Sequence, residues 1–332
     1  MDGSAQLPKR IRRRRWFGLG ILLAFLLLAA DYLAYPSLSP AVGRSGNLGE
    51  NGLWLRYSWY FGNWSNADLA GLAQRLQAGQ IRYAYCHVRF IDADGRLHFK
   101  KPAEARRLTS GLHRAAPAVK LLAWIYAGDL PGKGRIDLTN EAVRKTMANE
   151  AAWLVKACGF DGVQWDYEIC PDGDQGHLRL LEETRAALPK GAFFSVCTPM
   201  WYPVVVGKYG WSEAYFTRVA ATCDQLVVMG YDSAMILPRA YVWLMRQQTV
   251  RISRAAALGN PHGQVLIGIP SYKKGGVSHH VHAENIRMAL KGVREGVADP
   301  RADLTAFRGV AIFADYTMTE QDRGNYQALW LH

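Results

Sequence analysis

Eight short apolar runs, each followed by a segment of helical character, predict an α/β fold of the (β/α)8 TIM-barrel type behind an N-terminal transmembrane or signal segment. Three observations carry this. The runs are rich in β-branched and aromatic residues and close on Gly, Pro, Asp or Ser, as buried parallel strands should. Strand and helix segments alternate, and eight such pairs occupy about 270 residues, close to the usual size of the fold. The turn after the first run, SWYFGNW, is not the Gly-rich phosphate turn that a doubly wound open sheet would need.

The N-terminus comes first. The chain has 332 residues, 49% hydrophobic and 20% charged, with a formal net charge of +12; this excludes a disordered tail, a collagen and a small disulfide scaffold. Lys9, Arg10, Arg12, Arg13, Arg14 and Arg15 place +5 of that charge in the first thirty residues, once Asp2 is counted, and leave the remainder mildly basic. The cluster abuts Trp16–Ala30, a charge-free stretch, followed by Asp31 and a second apolar patch, Tyr32–Tyr35. A basic arm fused to a Leu-rich run reads as an export signal or membrane anchor, not as a nucleic-acid-binding arm. The charge-free stretch is short of the ~20 residues a spanning helix needs, but enough are available if Asp31 sits in the headgroup layer. Leu28-Ala29-Ala30 is a mediocre cleavage site and Ser39-Pro40-Ala41 lies far downstream, which favours an uncleaved anchor over a cleaved signal. Either way the rest of the chain lies outside the cytoplasm. The expected organisation is residues 1–35 as basic N-terminus and anchor or signal, 36–52 as a linker, and 53–332 as one barrel domain.

The strands expected in that domain are Leu53–Ser58, Ile81–Val88, Val119–Ile125, Gly162–Tyr167, Phe193–Thr198, Gln225–Met229, Val265–Ile269 and Gly309–Phe313. Between them, helices are expected over segments such as Asn66–Gln77, Asn140–Cys158, Gln175–Leu188, Ser212–Thr222, Tyr241–Leu258 and Ala283–Glu295, with Asn66, Asp68 and Thr139-Asn140 as capping signals. Cys86, Cys158, Cys170, Cys197 and Cys223 form no CxxC pair, so buried free thiols are expected, with no metal and no cofactor. His279, His280 and His282 read as part of a solvated polar loop.

In a barrel the active site lies at the carboxyl ends of the strands. The residues there are Ser58-Trp59-Tyr60, His87, Tyr126 to Asp129, Asp166 and Glu168, Pro199-Met200-Trp201-Tyr202, Tyr231-Asp232, Ser271-Tyr272 and Asp315-Tyr316. Aromatic rings stack on sugar faces while carboxylates do acid–base work, so a glycan is the expected partner. Within Asp161–Glu168, strand alternation puts Gln164, Asp166 and Glu168 on one face, over roughly 13 Å. Polar groups aimed into a barrel are costly, and either function or a satisfied polar layer must account for them.

This segment resembles the fourth strand of the family 18 glycoside hydrolases, the chitinase-like barrels, which carry D-G-x-D-x-D-x-E. The chain matches at Asp161, Gly162, Asp166 and Glu168 and departs at Gln164. Met229-Gly230-Tyr231-Asp232 is similar to the family's M-x-Y-D on strand six, and Leu266-Gly268-Ile269-Pro270-Tyr272 to its strand-seven signature. The resemblance implies Glu168 as general acid and then base, Asp166 orienting the substrate's 2-acetamido group, and Tyr231 bonding its carbonyl, with Asp161, Gln164 and Asp232 in support. Ile269-Pro270-Ser271-Tyr272 offers no carboxylate nucleophile, which favours the substrate-assisted route on an N-acetylated glycan. Trp59, Tyr126, Trp201, Tyr202, Tyr272, Phe313 and Asp315 are the expected sugar-binding residues; the family usually places a Trp where this chain has Phe313. A neutral Gln164 can donate to Asp166 but cannot take up its proton, which predicts lower activity or a shifted pH profile. Two other readings stay open: a chitinase-like binding protein without turnover, and a glycosidase of another class using Asp232 or Asp315 as nucleophile. Oligomeric state is left open.

Overall fold

The computed structural model describes residues 9–38, 45–128, 135–168, 170–203 and 210–332. Ser39-Pro40-Ala41 and Asp129 lie outside them. Eight parallel strands close on themselves in chain order: β1 (Asn51–Leu55), β2 (Ile81–Phe90), β3 (Lys120–Ala127), β4 (Gly162–Tyr167), β5 (Phe193–Thr198), β6 (Gln225–Val228), β7 (Gln264–Pro270) and β8 (Phe307–Phe313). This is the predicted (β/α)8 barrel. β4 and β5 have the expected bounds, whereas β1 starts two residues early and ends at Leu55, because Tyr57 and Ser58 already turn into the following loop.

The helices are α1 (Lys9–Leu38), α2 (Asn66–Ala78), α3 (Pro102–Ala115), α4 (Glu141–Cys158), α5 (Gln175–Ala187), α6 (Glu213–Ala220), α7 (Pro238–Gly259), α8 (Ile286–Val297) and α9 (Glu320–Tyr326). The cap of α2 is Ser65, which forms a capping box with Asp68; Asn140 caps α4 through Ala142 N. Two hydrophobic cores result. The larger lies between strands and helices, with Trp165, Trp211 and Phe216 among its fully buried side chains. The smaller fills the barrel with Trp54, Tyr83, Tyr85, Trp124, Val227, Leu266 and neighbours. Aromatic and polar groups thus occupy an interior that Val, Ile and Leu usually fill.

Gly162 opens β4 where a Cβ would come within 1.8 Å of the Phe193 carbonyl oxygen, so close strand packing requires glycine there. At the other end of the chain, Trp330 Nε1 donates to Asn51 Oδ1 at 2.8 Å, and the same oxygen accepts from Val310 N at 3.2 Å, fastening the C-terminus across the β1–β8 seam. The five cysteines are buried and free, as expected.

Within α1, Trp16–Ser37 has a mean hydropathy of 2.1 and none of its most apolar stretch is buried, so the segment is long and apolar enough to cross a membrane. Its last turns meet the barrel. Asp31 pairs with Arg239 at 2.6 Å, His282 Nε2 donates to the Tyr32 carbonyl at 2.7 Å, and the Tyr35 ring is buried beneath Arg239 and Lys291.

Candidate active site

Alternation along β4 carries Gln164 and Asp166 into the barrel at successive levels. In the lower level the strand register sets Trp124 beside Gln164, Gln164 beside Ser195, Ser195 beside Gln225 and Gln225 beside Gln264. Gln164, wholly buried, accepts from Trp54 Nε1 at 2.8 Å and donates to Ser195 Oγ at 3.0 Å. Ser195 donates onward to Gln225 Oε1, which also accepts from Tyr85. Each amide and hydroxyl here is uncharged and partnered, a satisfied polar layer of the kind a barrel interior tolerates. Gln164 is able to donate to Asp166 but makes no such bond among the described residues: its Oε1 accepts from Trp54 and its Nε2 donates to Ser195.

Asp166 sits one level higher and differs in kind. Its residue is 3% exposed; Oδ2 accepts from Trp124 Nε1 at 2.8 Å, while buried Oδ1 has no partner among the described residues. Burial, reinforced by the charge of Glu168, pushes its carboxyl well above the usual range, and the Trp124 bond only partly offsets this. Glu168 stands at the lip, exposed. Crowding by protein raises its carboxyl too, a hydrogen bond with Tyr126 opposes the rise, and the Asp232 charge adds to it. Solvent at the lip moderates that shift. Two carboxyls that cannot both ionise cheaply share protons as a pair.

Beside these carboxyls lies an aromatic cluster. Tyr231 stacks on Phe313 with centroids 4.8 Å apart, and Trp54, Trp124 and Tyr272 meet Phe313 edge-on at 5.6, 6.1 and 6.0 Å. The Phe313–Ala314 peptide is cis. Burial holds the Tyr231 hydroxyl far above its ordinary pKa, so it remains a neutral donor. His87 stacks on Trp124 at 4.0 Å, and burial together with Arg89 pulls it down to about 3, leaving it a neutral buttress.

The structure therefore brings together Asp166, Glu168, Tyr126, Tyr231, Asp232, Tyr272 and Phe313. Others lie apart. Asp161 is at the barrel's opposite end, where Oδ2 accepts from Leu121 N at 2.7 Å and bonds His113 at 2.9 Å, tying β3, β4 and α3 together. Trp201 is buried under Arg251 and beside Trp243, its backbone held by Gln248. Tyr202 is partly buried against the outer core. Trp59 packs on Trp64, lining an outer crevice with Arg75, Asp315 and Tyr316. Asp315 faces Arg75 at 3.5 Å. The solvated-loop expectation for the histidines is corrected for His279, which is buried against Tyr272 and bonds Glu284, itself the acceptor for Ser233 Oγ. A carboxylate closing two loops outweighs the polarity of the surrounding sequence. Trp54 and Trp124 also enter the site, from within β1 and β3 and not from beyond the strand ends; the alternation that puts Trp124 and Tyr126 on one face is their signal in the sequence.

No protein-family model and no curated protein matches the sequence. Solved structures do. The chain is similar to the spore cortex-lytic enzyme SleL of Bacillus cereus, at 13% identity and a TM-score of 0.59 over 87% of this chain and 75% of that one. A chitinase from Chromobacterium violaceum aligns at 15% identity and a TM-score of 0.57, covering 83% of this chain and 98% of its own. A family 18 chitinase from Cycas revoluta, solved in complex with (GlcNAc)4, gives 12% identity and 0.57 over 84% and 98%. At such identities the likeness is one of fold: the domain is a (β/α)8 barrel similar in fold to those of these enzymes.

Proposed function

We propose that the chain is a glycoside hydrolase that cleaves N-acetylated glycans, of chitin, peptidoglycan or exopolysaccharide type, by retaining, substrate-assisted catalysis. The observation that carries this reading is the pair of Asp166 and Glu168 beside an aromatic cluster, one carboxyl buried with an oxygen unpartnered among the described residues and the other at the lip. At rest the pair holds one proton. A substrate acetamido N–H needs a carboxylate acceptor at Asp166, so binding moves the proton to Glu168, where the glycosidic oxygen takes it. The acetamido carbonyl attacks C1, Tyr231 donates to that carbonyl oxygen, and Asp166 stabilises the oxazolinium charge. Glu168, now ionised, then deprotonates the incoming water. Asp315, tied to Arg75, is poorly placed to serve as an alternative nucleophile.

The same proposal makes α1 an uncleaved anchor that holds the barrel outside the cytoplasm. Support comes from Asp31, Tyr32 and Tyr35, which are part of the domain's packing and would be lost by cleavage at Ser39-Pro40-Ala41. The test is to incubate the full chain and its Glu168→Gln variant with chitooligosaccharides and peptidoglycan fragments. Turnover that the substitution abolishes is the expected result. Binding without turnover in both forms would instead mark a glycan-binding protein, and cleavage of a glycan lacking the 2-acetamido group would overturn the substrate-assisted route.

A further inference from the structure

The described contacts from Asp31 to Gly46 touch the barrel at both of its ends. In a (β/α)8 barrel the helices run against the strands, so helix N-termini lie at the strand carboxyl ends, around the mouth. Asp31 and Tyr32 meet Arg239, in the first turn of α7, and His282, just before α8. Tyr35 reaches Lys291, in the second turn of α8. Gly46 lies against Val297, which ends α8, and Phe307, which begins β8. The chain therefore meets the mouth at Asp31 and Tyr32, and at Gly46 it lies at the barrel floor, where β1 starts. The part of α1 before Asp31 projects the other way, past the rim, and the exposed, charge-free Trp16–Ala30 is about 22 Å long.

We infer that the mouth holding Asp166 and Glu168 faces the bilayer, with the β6–α7 loop (229–237) and the β7–α8 loop (271–285) resting on an anionic lipid surface beside α1. This rests on α1 being a membrane anchor. The composition of the rim fits such a partner. Ile236 is 59% exposed and Val277 95%, one on each loop. Lys274 and Arg287 stand exposed nearby; residues 229–246 and 271–287 carry five Lys or Arg against two carboxylates, exposed Asp232 and buried Glu284, and of those cations Arg239, Arg246 and Lys273 face Asp31, Asp299 and Asp322. Exposed apolar tips among cations are what an interfacial contact with anionic lipid uses. A glycan reaching Glu168 then arrives along the membrane surface.

The five native cysteines are buried, so an introduced one can be labelled alone. Full-length Val277→Cys, Ile236→Cys, Lys190→Cys and Leu22→Cys, each carrying an environment-sensitive fluorophore, are placed in phosphatidylcholine–phosphatidylglycerol vesicles containing spin-labelled lipid. Lys190 is exposed just before β5, at the barrel floor. Loss of fluorescence at Leu22, Ile236 and Val277 with none at Lys190 is expected. Quenching at Leu22 without quenching at Ile236 and Val277, or with quenching at Lys190 instead, overturns the orientation and leaves the anchor standing. No quenching at Leu22 overturns the anchor and the orientation with it.

Discussion

Trp124 donates its indole N–H to Asp166 at 2.8 Å, and that single bond is the only one the buried carboxyl receives among the described residues. Everything proposed for the site depends on Asp166 being able to ionise when substrate arrives. Trp124→Phe keeps the ring against His87 and Phe313 but removes the donor. The Asp166 carboxyl then rises further, so the acidic limb of the pH–rate profile moves to higher pH, and kcat falls by roughly 10- to 100-fold. A profile that keeps its acidic limb would sink this account.

Asp166 also links stability to pH. Its folded pKa is raised above the unfolded value, so its contribution is fully present below the ordinary carboxylate range, near pH ~4, and is lost as pH rises through the folded pKa. Asp166→Asn abolishes that titration. Denaturant unfolding from about pH 4 to 9 is expected to show the variant gaining on the wild type by more than ~1 kcal/mol as pH rises. A constant difference across the range would count against it.

The neighbours of Gln164 are built for an amide. Gln164→Glu keeps the shape and places a carboxyl between Trp54 and Ser195, in a layer with no counter-charge among the described residues. The expected cost is ~3 kcal/mol at neutral pH, shrinking toward acid where the new group is protonated. The check is a pH series of melting temperatures. A variant as stable as wild type at neutral pH would show that the layer tolerates charge.

Tyr231 packs through its ring and acts through its hydroxyl. Tyr231→Phe leaves the stack on Phe313 intact, so thermal stability changes by less than ~1.5 kcal/mol, while kcat drops by about 100-fold with little change in KM. Steady-state kinetics on a chitooligosaccharide separates the two parameters. A rise in KM alone would reassign Tyr231 to ground-state binding.

Strand identity was legible because each run is apolar, short and bounded by turn residues, and the period of two along β4 already placed Gln164 and Asp166 on one face. The sequence by itself thus determined the (β/α)8 fold, the buried thiols and the basic, apolar N-terminus. Local pattern alone could not separate Gln164, which is satisfied, from Asp166, which is not; that depends on Trp54, Ser195 and Trp124, brought in from three other strands. It could not show that Asp161, in the same motif, serves the opposite end of the barrel, or that Trp201 and Asp315 turn to Arg251 and Arg75. Nor could it tell which way the mouth faces. Those outcomes rest on contacts between residues far apart in the chain, which only closure of the barrel and the docking of α1 bring within reach.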